Sequence, residues 1–483
     1  MSVDEVDFRK TAHQKINKFL DEVKKVLKGD RIITDHEGLS HFGYDATEMR
    51  FMPDVVVQPE STEQVSKILR LAYSIGIPVT PQGGRTGLSG GGLPVQAGTV
   101  LSLLRMNRIL EIDRKNMQIV VEPGVIPADL QKTLNGHNLF FPPDPSSTVE
   151  STIGGNVAEN AGYTRAVKYG VTRDYVIGLE AVLPDGDVIN VGGRTVKNVA
   201  GYDLVALLTG SEGTLAVVTK IILKVLPRPA FRRTCLFYFE DLVTAADLIV
   251  AIFRNGIIPC AAEIMDNTAI NCVADYLNVS VRRDAAVLVL VEVDGNHRAA
   301  TEEEASHILT TGNRLSGLIE ARLAADDEEA DRFWRIRRET LPALKAKGRD
   351  HLEADVVVPR FRLPYLARAI KEIASGRKIS VATYGHAGDG NLHVTIMYRK
   401  RNFAELEEAY ELLEDIYKKT LEMDGKLTGE HGVGLTVKNY LDMQMSEAEI
   451  ALMRRIKEAF DPKGFLNPGK IFPDKVEKEE PCA

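Results

Sequence analysis

The chain is poor in cysteine. Four occur in 483 residues (Cys235, Cys260, Cys272 and Cys482), and none stands at a CxxC or zinc-finger spacing. That excludes an iron–sulfur cluster carried by the chain itself and a disulfide framework, and it suits a reducing compartment. No apolar run approaches the roughly 20 residues that a membrane helix needs. The first residues, MSVDEVDFRKTAHQK, carry acidic groups early and no apolar stretch, so no signal peptide is expected. Basic charge is also short: 60 Lys and Arg face 68 Asp and Glu, a net charge of −8. Non-specific nucleic-acid binding needs a basic field and is excluded. A cytoplasmic protein is expected, held at a membrane, if at all, through a partner.

What the chain does have is glycine placed directly after strands. Ile16, Phe19, Leu20, Val23, Val26 and Leu27 repeat at helical spacing until Gly29. "DVVVQPE" then reads as a buried strand. Ser61 and Gln64 form a capping-box signal for the helix "TEQVSKILRLAYSIG", and "IPVTPQGG" is the next strand, so the segment is a βαβ unit. Further strands are expected at "GTVLSLL", "QIVVEPG", "VIGLEAVLP", "VINVGG" and "TLAVVTKIILKVLP". After Pro227 the texture changes. Strands "RTCLFYF", "CAAEIM" and "AAVLVLVEV" alternate with helices at about Leu242 to Arg254 and at "RAATEEEASHILTTG", which suggests an α+β domain with one open antiparallel sheet. The acidic stretches Glu302 to Glu304 and "DDEEADR" are solvated helix faces.

"PQGGRTGLSGGG", Pro81 to Gly92, holds six glycines in twelve residues. Without Cβ atoms, successive backbone N–H groups can turn toward one anion, and a diphosphate is the natural occupant. The loop is neither GxGxxG nor GxxxxGK[ST], which argues against NAD and ATP. A second cluster, "FPPDPSSTVESTIGGNVAENAGYTRAVKYG", combines prolines, hydroxyls and small residues that can wrap a long polar ligand. "YGHAGDGNLH", Tyr384 to His393, sets two histidines around a Gly-Asp-Gly turn. Histidines with a carboxylate from elsewhere suit a divalent first-row cation. Two ordinary surface histidines are the competing reading.

In order, "PQGGRTGLSGG", "PPDPSS", "TIGGNVAENAGYTRAVKYG" and "GSEGTLAVVTKIILKVLP" resemble the FAD-binding domain of the vanillyl-alcohol-oxidase/p-cresol-methylhydroxylase flavoproteins. The branch resembled is that of the glycolate oxidase D subunit, D-lactate dehydrogenases and D-2-hydroxyglutarate dehydrogenase. The resemblance spans roughly Asp54 to Phe472. It implies an α+β fold: a two-lobed FAD domain of p-cresol-methylhydroxylase (PCMH) type over residues 1–227, a substrate or cap domain with an antiparallel sheet over 228–420, and a C-terminal segment, 421–483, that returns to the FAD domain. For the flavin it implies Pro81, Gly83, Gly84, Arg85, Thr86, Gly87, Leu88, Ser89 and Gly90 from the first loop. Pro143, Asp144, Ser146, Thr152, Gly154, Gly155, Asn156, Ala158, Asn160 and Gly162 follow from the second cluster, with Gly213, and with Asn467 in "FDPKGFLNPGKIF". Some relatives attach flavin through a histidine in the first loop; none stands here, so the FAD is expected to be non-covalent.

"YGHAGDGNLH" and "TGEHGVG" also match the branch. They imply His386, His393 and Glu430 as ligands of zinc, or of iron or manganese, with His431 as the base. In "FWRIRRETLPAL", Arg337 aligns with the arginine that holds the substrate carboxylate. The implied reaction is oxidation of a 2-hydroxy acid. The electrons pass to an external acceptor: an iron–sulfur subunit, an electron-transferring flavoprotein or a quinone. D-2-hydroxyglutarate dehydrogenases carry a lysine where this chain has Glu353 and a threonine where it has Leu341. A short monocarboxylate, D-lactate or glycolate, is therefore expected. The alternatives are a D-2-hydroxyglutarate dehydrogenase, a non-redox flavoprotein of the alkyl-dihydroxyacetone-phosphate synthase type, and a flavin-holding subunit without turnover.

Overall fold

Val55, Val56 and Val57 are all fully buried, as a strand covered on both faces must be. In the computed structural model, which describes residues 14–474, this strand (β2, Val55–Val57) lies in a four-stranded sheet with β1 (Ile32–Ile33), β3 (Val79–Gln82) and β4 (Thr99–Ser102). The order is β1-β2-β4-β3, with β2, β4 and β3 parallel. The crossover helix Thr62–Ile75 packs Val65, Ile68, Leu69 and Ala72 onto the sheet, and Gly76 ends it at φ 78°. Ser61 accepts from Gln64 N–H at 3.3 Å. In return Gln64 Oε1 accepts from the N–H of Glu60, one residue upstream of the expected donor, at 2.7 Å. Residues 14–23 are helical and bury Phe19 and Val23 in the same core. The signal-peptide reading of the first residues, and Cys482, fall outside the described residues.

The second sheet is antiparallel throughout, in the order β5-β6-β10-β8-β9, with β5 (Ile109–Asp113), β6 (Gln118–Val121), β8 (Val176–Val182), β9 (Val188–Gly192) and β10 (Val217–Lys224). β7 (Leu139–Phe140) pairs with β11 (Leu226–Pro227) where the chain leaves this lobe.

Seven antiparallel strands form the third sheet: β12 (Phe231–Phe239), β13 (Ala261–Asp266), β14 (Val287–Gly295), β15 (Leu318–Leu323), β16 (Asp350–Val357), β17 (Ser380–Gly385) and β18 (Asn391–Tyr398). Their order is β15-β12-β14-β13-β17-β18-β16. Alternation along β12 sends Cys235, Phe237 and Phe239 into one helix-covered layer and Leu236 and Tyr238 into the other. Helix Leu242–Arg254 covers the first face; Asn267–Leu277 and Asp327–Arg338 cover the second.

Polar contacts hold this sheet against the glycine-rich lobe. Arg165 donates to the buried Glu292 at 3.0 Å, Tyr169 OH donates to Asp294 at 2.8 Å, and Lys345 donates to the Ala46 carbonyl at 3.0 Å. The C-terminal segment closes the junction: Asn467 Nδ2 donates to the carbonyls of Gly91 (2.9 Å) and Glu212 (2.7 Å). Among the described residues, no helix is long and apolar enough to cross a membrane.

Candidate active site

A cleft of about 990 Å³ runs between the glycine-rich lobe and the third sheet. Its first wall is the loop that follows β3. Here glycine is required by approach rather than by flexibility: a Cβ on Gly83 would fall on the Thr152 hydroxyl, and one on Gly84 on the Glu150 carbonyl. The two glycine clusters are therefore pressed together into one surface. Arg85 holds a left-handed φ of 61°, and its guanidinium lies over the rings of Phe42 (5.0 Å) and Tyr44 (5.7 Å).

Buried polar groups normally have partners. Along this wall Gln82 Oε1, Arg85 Nη1, Ser151 Oγ, Asn156 Nδ2, Glu159 Oε2 and Tyr163 OH have none. A row of unpaired donors and acceptors beside a glycine cradle is the signature of a long polar ligand's seat.

The opposite wall is built by β13, β17 and β18. Gly385 closes β17 and Asn391 opens β18, so His386 stands in the short turn directly after β17 and His393 on β18 beside it. Their Nε2 atoms are 3.4 Å apart. Glu430, from the C-terminal segment, puts Oε1 3.3 Å from His386 Nε2 and 3.4 Å from His393 Nε2. Donors at tetrahedral positions about 2.0–2.1 Å from a common centre lie about 3.3–3.4 Å from one another. The three atoms thus outline one face of a tetrahedron. His431 stacks on His393 with ring centroids 5.2 Å apart at 9°.

Arg337 is buried, whereas Arg335 and Arg338 on the same helix are exposed. Its Nε donates to Glu263 at 2.7 Å, and its guanidinium lies 5.1 Å from the Tyr384 ring.

Two buried carboxylates brace this wall, and sequence reading had not singled out either. Glu263 accepts from Arg337 through Oε2 and meets His386 Nδ1 through Oε1, also at 2.7 Å. Asp355 Oδ2 accepts from Thr428 Oγ1 (3.0 Å) and from the backbone N–H of Gly429 (2.8 Å), Glu430 (2.7 Å) and His431 (2.9 Å), while Oδ1 accepts from Asn391 at 2.8 Å. Asp355 lies within 4.8 Å of donor atoms of His393, Glu430 and His431. Its oxygens are already committed to the loop, which makes it an anchor rather than a fourth ligand. The available signal was a carboxylate in an apolar strand: Glu263 in "CAAEIM" and Asp355 in "ADVVVP".

Electrostatics follow from this crowding. Burial opposes charge on Glu430, but the imidazoles of His386 and His393 overcome it and hold the carboxyl at about 2. Burial also acts against Asp355, yet His431, His393 and the loop amides keep it far below the usual carboxylate range. Burial disfavours a charged His386, while Glu263 and Glu430 more than offset that and raise it well above ordinary histidine. A proton on His386 then supplies positive charge where a cation would supply more, so the donor set fits a divalent ion.

Of the residues expected at the flavin, Pro81, Gly83 to Leu88, Ser146, Thr152, Gly154, Gly155, Asn156, Ala158, Gly162 and Gly213 line the cleft. Arg337, His386, His393, Glu430 and His431 line it as well, and so does Leu341. Ser89 and Gly90 sit beside Glu159 and Leu435. Asn160 ends the helix Ile153–Glu159 in left-handed conformation and accepts from Arg173 N–H. Pro143 is buried, Asp144 is exposed on its loop, and Asn467 works as the tie already described. Glu353 is held by Thr395 at 2.9 Å, and burial pushes its carboxyl up to about 7.

Comparison with known proteins identifies the family of both parts of the chain. Residues 53–192 match the FAD binding domain family, and residues 228–471 match that of FAD linked oxidases, C-terminal domain. The chain is 41% identical to the glycolate oxidase subunit GlcD of Bacillus subtilis, over 89% of this chain and 92% of that one. It is 34% identical to a D-lactate dehydrogenase of Anaerostipes hadrus, over 97% and 99%. Among solved structures, p-cresol methylhydroxylase with substrate bound superposes with a TM-score of 0.79 at 17% identity, covering 95% of this chain and 97% of that one, a likeness of fold.

Proposed function

As the chain belongs to the FAD-linked oxidase family, we propose that it oxidises a short D-2-hydroxy acid, D-lactate or glycolate, to the 2-oxo acid. The electrons then leave to an external acceptor: an iron–sulfur subunit, an electron-transferring flavoprotein or a quinone. One observation carries the reading. A buried arginine and a cluster of two imidazoles and a carboxylate face a glycine-lined seat across a single cleft. The chain's likeness to proteins named as a glycolate oxidase subunit and a D-lactate dehydrogenase supports the substrate class.

FAD would lie along the glycine wall without a covalent link, its diphosphate at Gly83 to Leu88 and its polar edges at Ser151, Asn156 and the other unpaired groups. When bound, it supplies the acceptor for the hydride released from the substrate carbon. His386, His393 and Glu430 would hold zinc, or iron or manganese, which supplies Lewis acidity to a hydroxyl beside it.

The chain's own groups do the rest. Arg337 spends only Nε on Glu263 among the described contacts, so its two Nη groups remain for a substrate carboxylate. His431 presents an imidazole to the cleft, with Nε2 3.8 Å from Glu430 Oε1 and Nδ1 3.9 Å from Asp355 Oδ2. It would take the hydroxyl proton. Asp355 fixes the loop that carries both Glu430 and His431. Leu341 on the cleft wall offers an apolar contact instead of a partner for a second carboxylate. Cys235, Cys260 and Cys272 are buried and free, and they form no relay among the described residues.

The test is anaerobic mixing of purified protein with D-lactate, glycolate and D-2-hydroxyglutarate while following the visible flavin band. Bleaching by a monocarboxylate is expected. A band that stays oxidised with all three would reject the reading in favour of a non-redox flavoprotein. His386→Ala should lose bound cation and turnover but keep FAD; full turnover without the imidazole would remove the cation from the account.

A further inference from the structure

We propose that Glu263 is a positioning residue that couples the two halves of this site, aiming His386 at the cation and Arg337 at the substrate carboxylate. The proposal rests on the reading above. Pairing of β13 with β17 places Ile264 opposite Gly385 and Met265 opposite Tyr384. Just beyond the end of that pairing, the side chains of Glu263 and His386 meet.

The carboxylate is fully buried, and each oxygen has one charged or imidazole partner at 2.7 Å: Oε1 with His386 Nδ1, Oε2 with Arg337 Nε. An ionised carboxylate only accepts, so Nδ1 must donate. The Nε2 lone pair is then left facing Glu430 and His393, the orientation a cation requires. The same carboxylate holds the guanidinium by its Nε edge, 5.1 Å from the Tyr384 ring, and leaves both Nη groups without a partner among the described contacts.

No other side chain meets both demands. Glutamine offers one oxygen and one amino group, and the amino group would face either Nδ1–H or Nε–H, donor against donor. Aspartate is one methylene shorter and cannot span both partners. The cation ligand and the substrate arginine are thus set by one group from a strand that supplies neither.

The experiment uses flavin-loaded full-length protein carrying Glu263→Gln or Glu263→Asp. Zinc affinity is measured without substrate by chelator competition, and KM and kcat with D-lactate. Zinc affinity should fall by roughly 10- to 100-fold, the usual effect of removing a ligand's hydrogen-bond partner. KM should rise in parallel while flavin content stays at the wild-type value.

A cycle with Arg337→Ala separates coupling from general damage. The KM effects of the two substitutions should fall well short of additive, with the loss of zinc affinity persisting in the double variant. If the glutamine variant does not fold, the aspartate variant carries the same cycle. Wild-type zinc affinity with wild-type KM, or fully additive KM effects, would overturn the proposal. Retention of cation and turnover by His386→Ala would instead remove the reading on which it rests.

Discussion

Replacing Asp355 with asparagine is the sharpest perturbation of the site that leaves its volume unchanged. Oδ2 receives four donors from Thr428 to His431, and Oδ1 receives one from Asn391. The cheaper of two placements keeps the amide oxygen toward the loop. The new amino group then meets Asn391 Nδ2, donor against donor, and one buried group is left unsatisfied at about 1–3 kcal/mol. The loop amides also lose charge assistance, worth about 1 kcal/mol per bond and not additive at a shared oxygen. Together these reach about 3–5 kcal/mol, the range for breaking a buried charged network.

Part of that cost will appear as loosening of the loop. A displacement of about 1 Å in Glu430 and His431 costs on the order of 100-fold in rate. Urea unfolding and anaerobic stopped-flow flavin reduction measure the two effects separately. A variant with the wild-type midpoint and the wild-type reduction rate would refute the claim that Asp355 organises the loop.

Arg337→Ala should raise the KM for D-lactate by roughly 10- to 150-fold, equivalent to about 1.5–3 kcal/mol for a charge-assisted bond; an unchanged KM would move the carboxylate site elsewhere. Gly84→Ala drives a methyl group into the Glu150 carbonyl and Ser151, so flavin content per purified chain should drop, and full occupancy would contradict the placement of FAD. Glu353 keeps its proton to about pH 7 in the folded chain against 4.5 for a free carboxyl. The folded state binds more protons between those values, so its stability declines as pH rises across them, by about 3 kcal/mol at most. Glu353→Gln should flatten that decline, seen as a smaller difference in melting temperature between pH 5 and 7.5; an unaltered pH dependence would count against it.

Much of the frame was legible from residue patterns. Helix Leu242–Arg254 has the bounds expected for it, because an Asp cap and an unbroken apolar face are local signals. The expected strands from β2 through β14 formed for similar reasons. β5 went unread because Ile109–Asp113 mixes apolar and acidic residues at an exposed edge. In the site, glycine doublets marked the first wall.

The meeting of His386, His393 and Glu430 was different. Thirty-odd residues separate the second histidine from the glutamate, and no local pattern joins them; only the resemblance did. Glu263 and Asp355 escaped notice because a lone carboxylate in a strand usually means a solvent-facing position. Here both are buried. Their role depends on what stands across the sheet, which a linear reading does not display.

The stitching of the C-terminal segment bears on how the molecule comes into being. Thr428 is tied to Asp355 across 73 positions, Val433 to Glu212 across 221, and Asn467 to Gly91 across 376. Contacts of such span form late and slowly. A ribosome that has delivered the chain only as far as Leu427 holds a half-built chamber, with His386 and His393 made but not Glu430. The segment from Thr428 to Asn467 thus joins parts made long before it, and the chamber has its full set of walls only once that segment has docked.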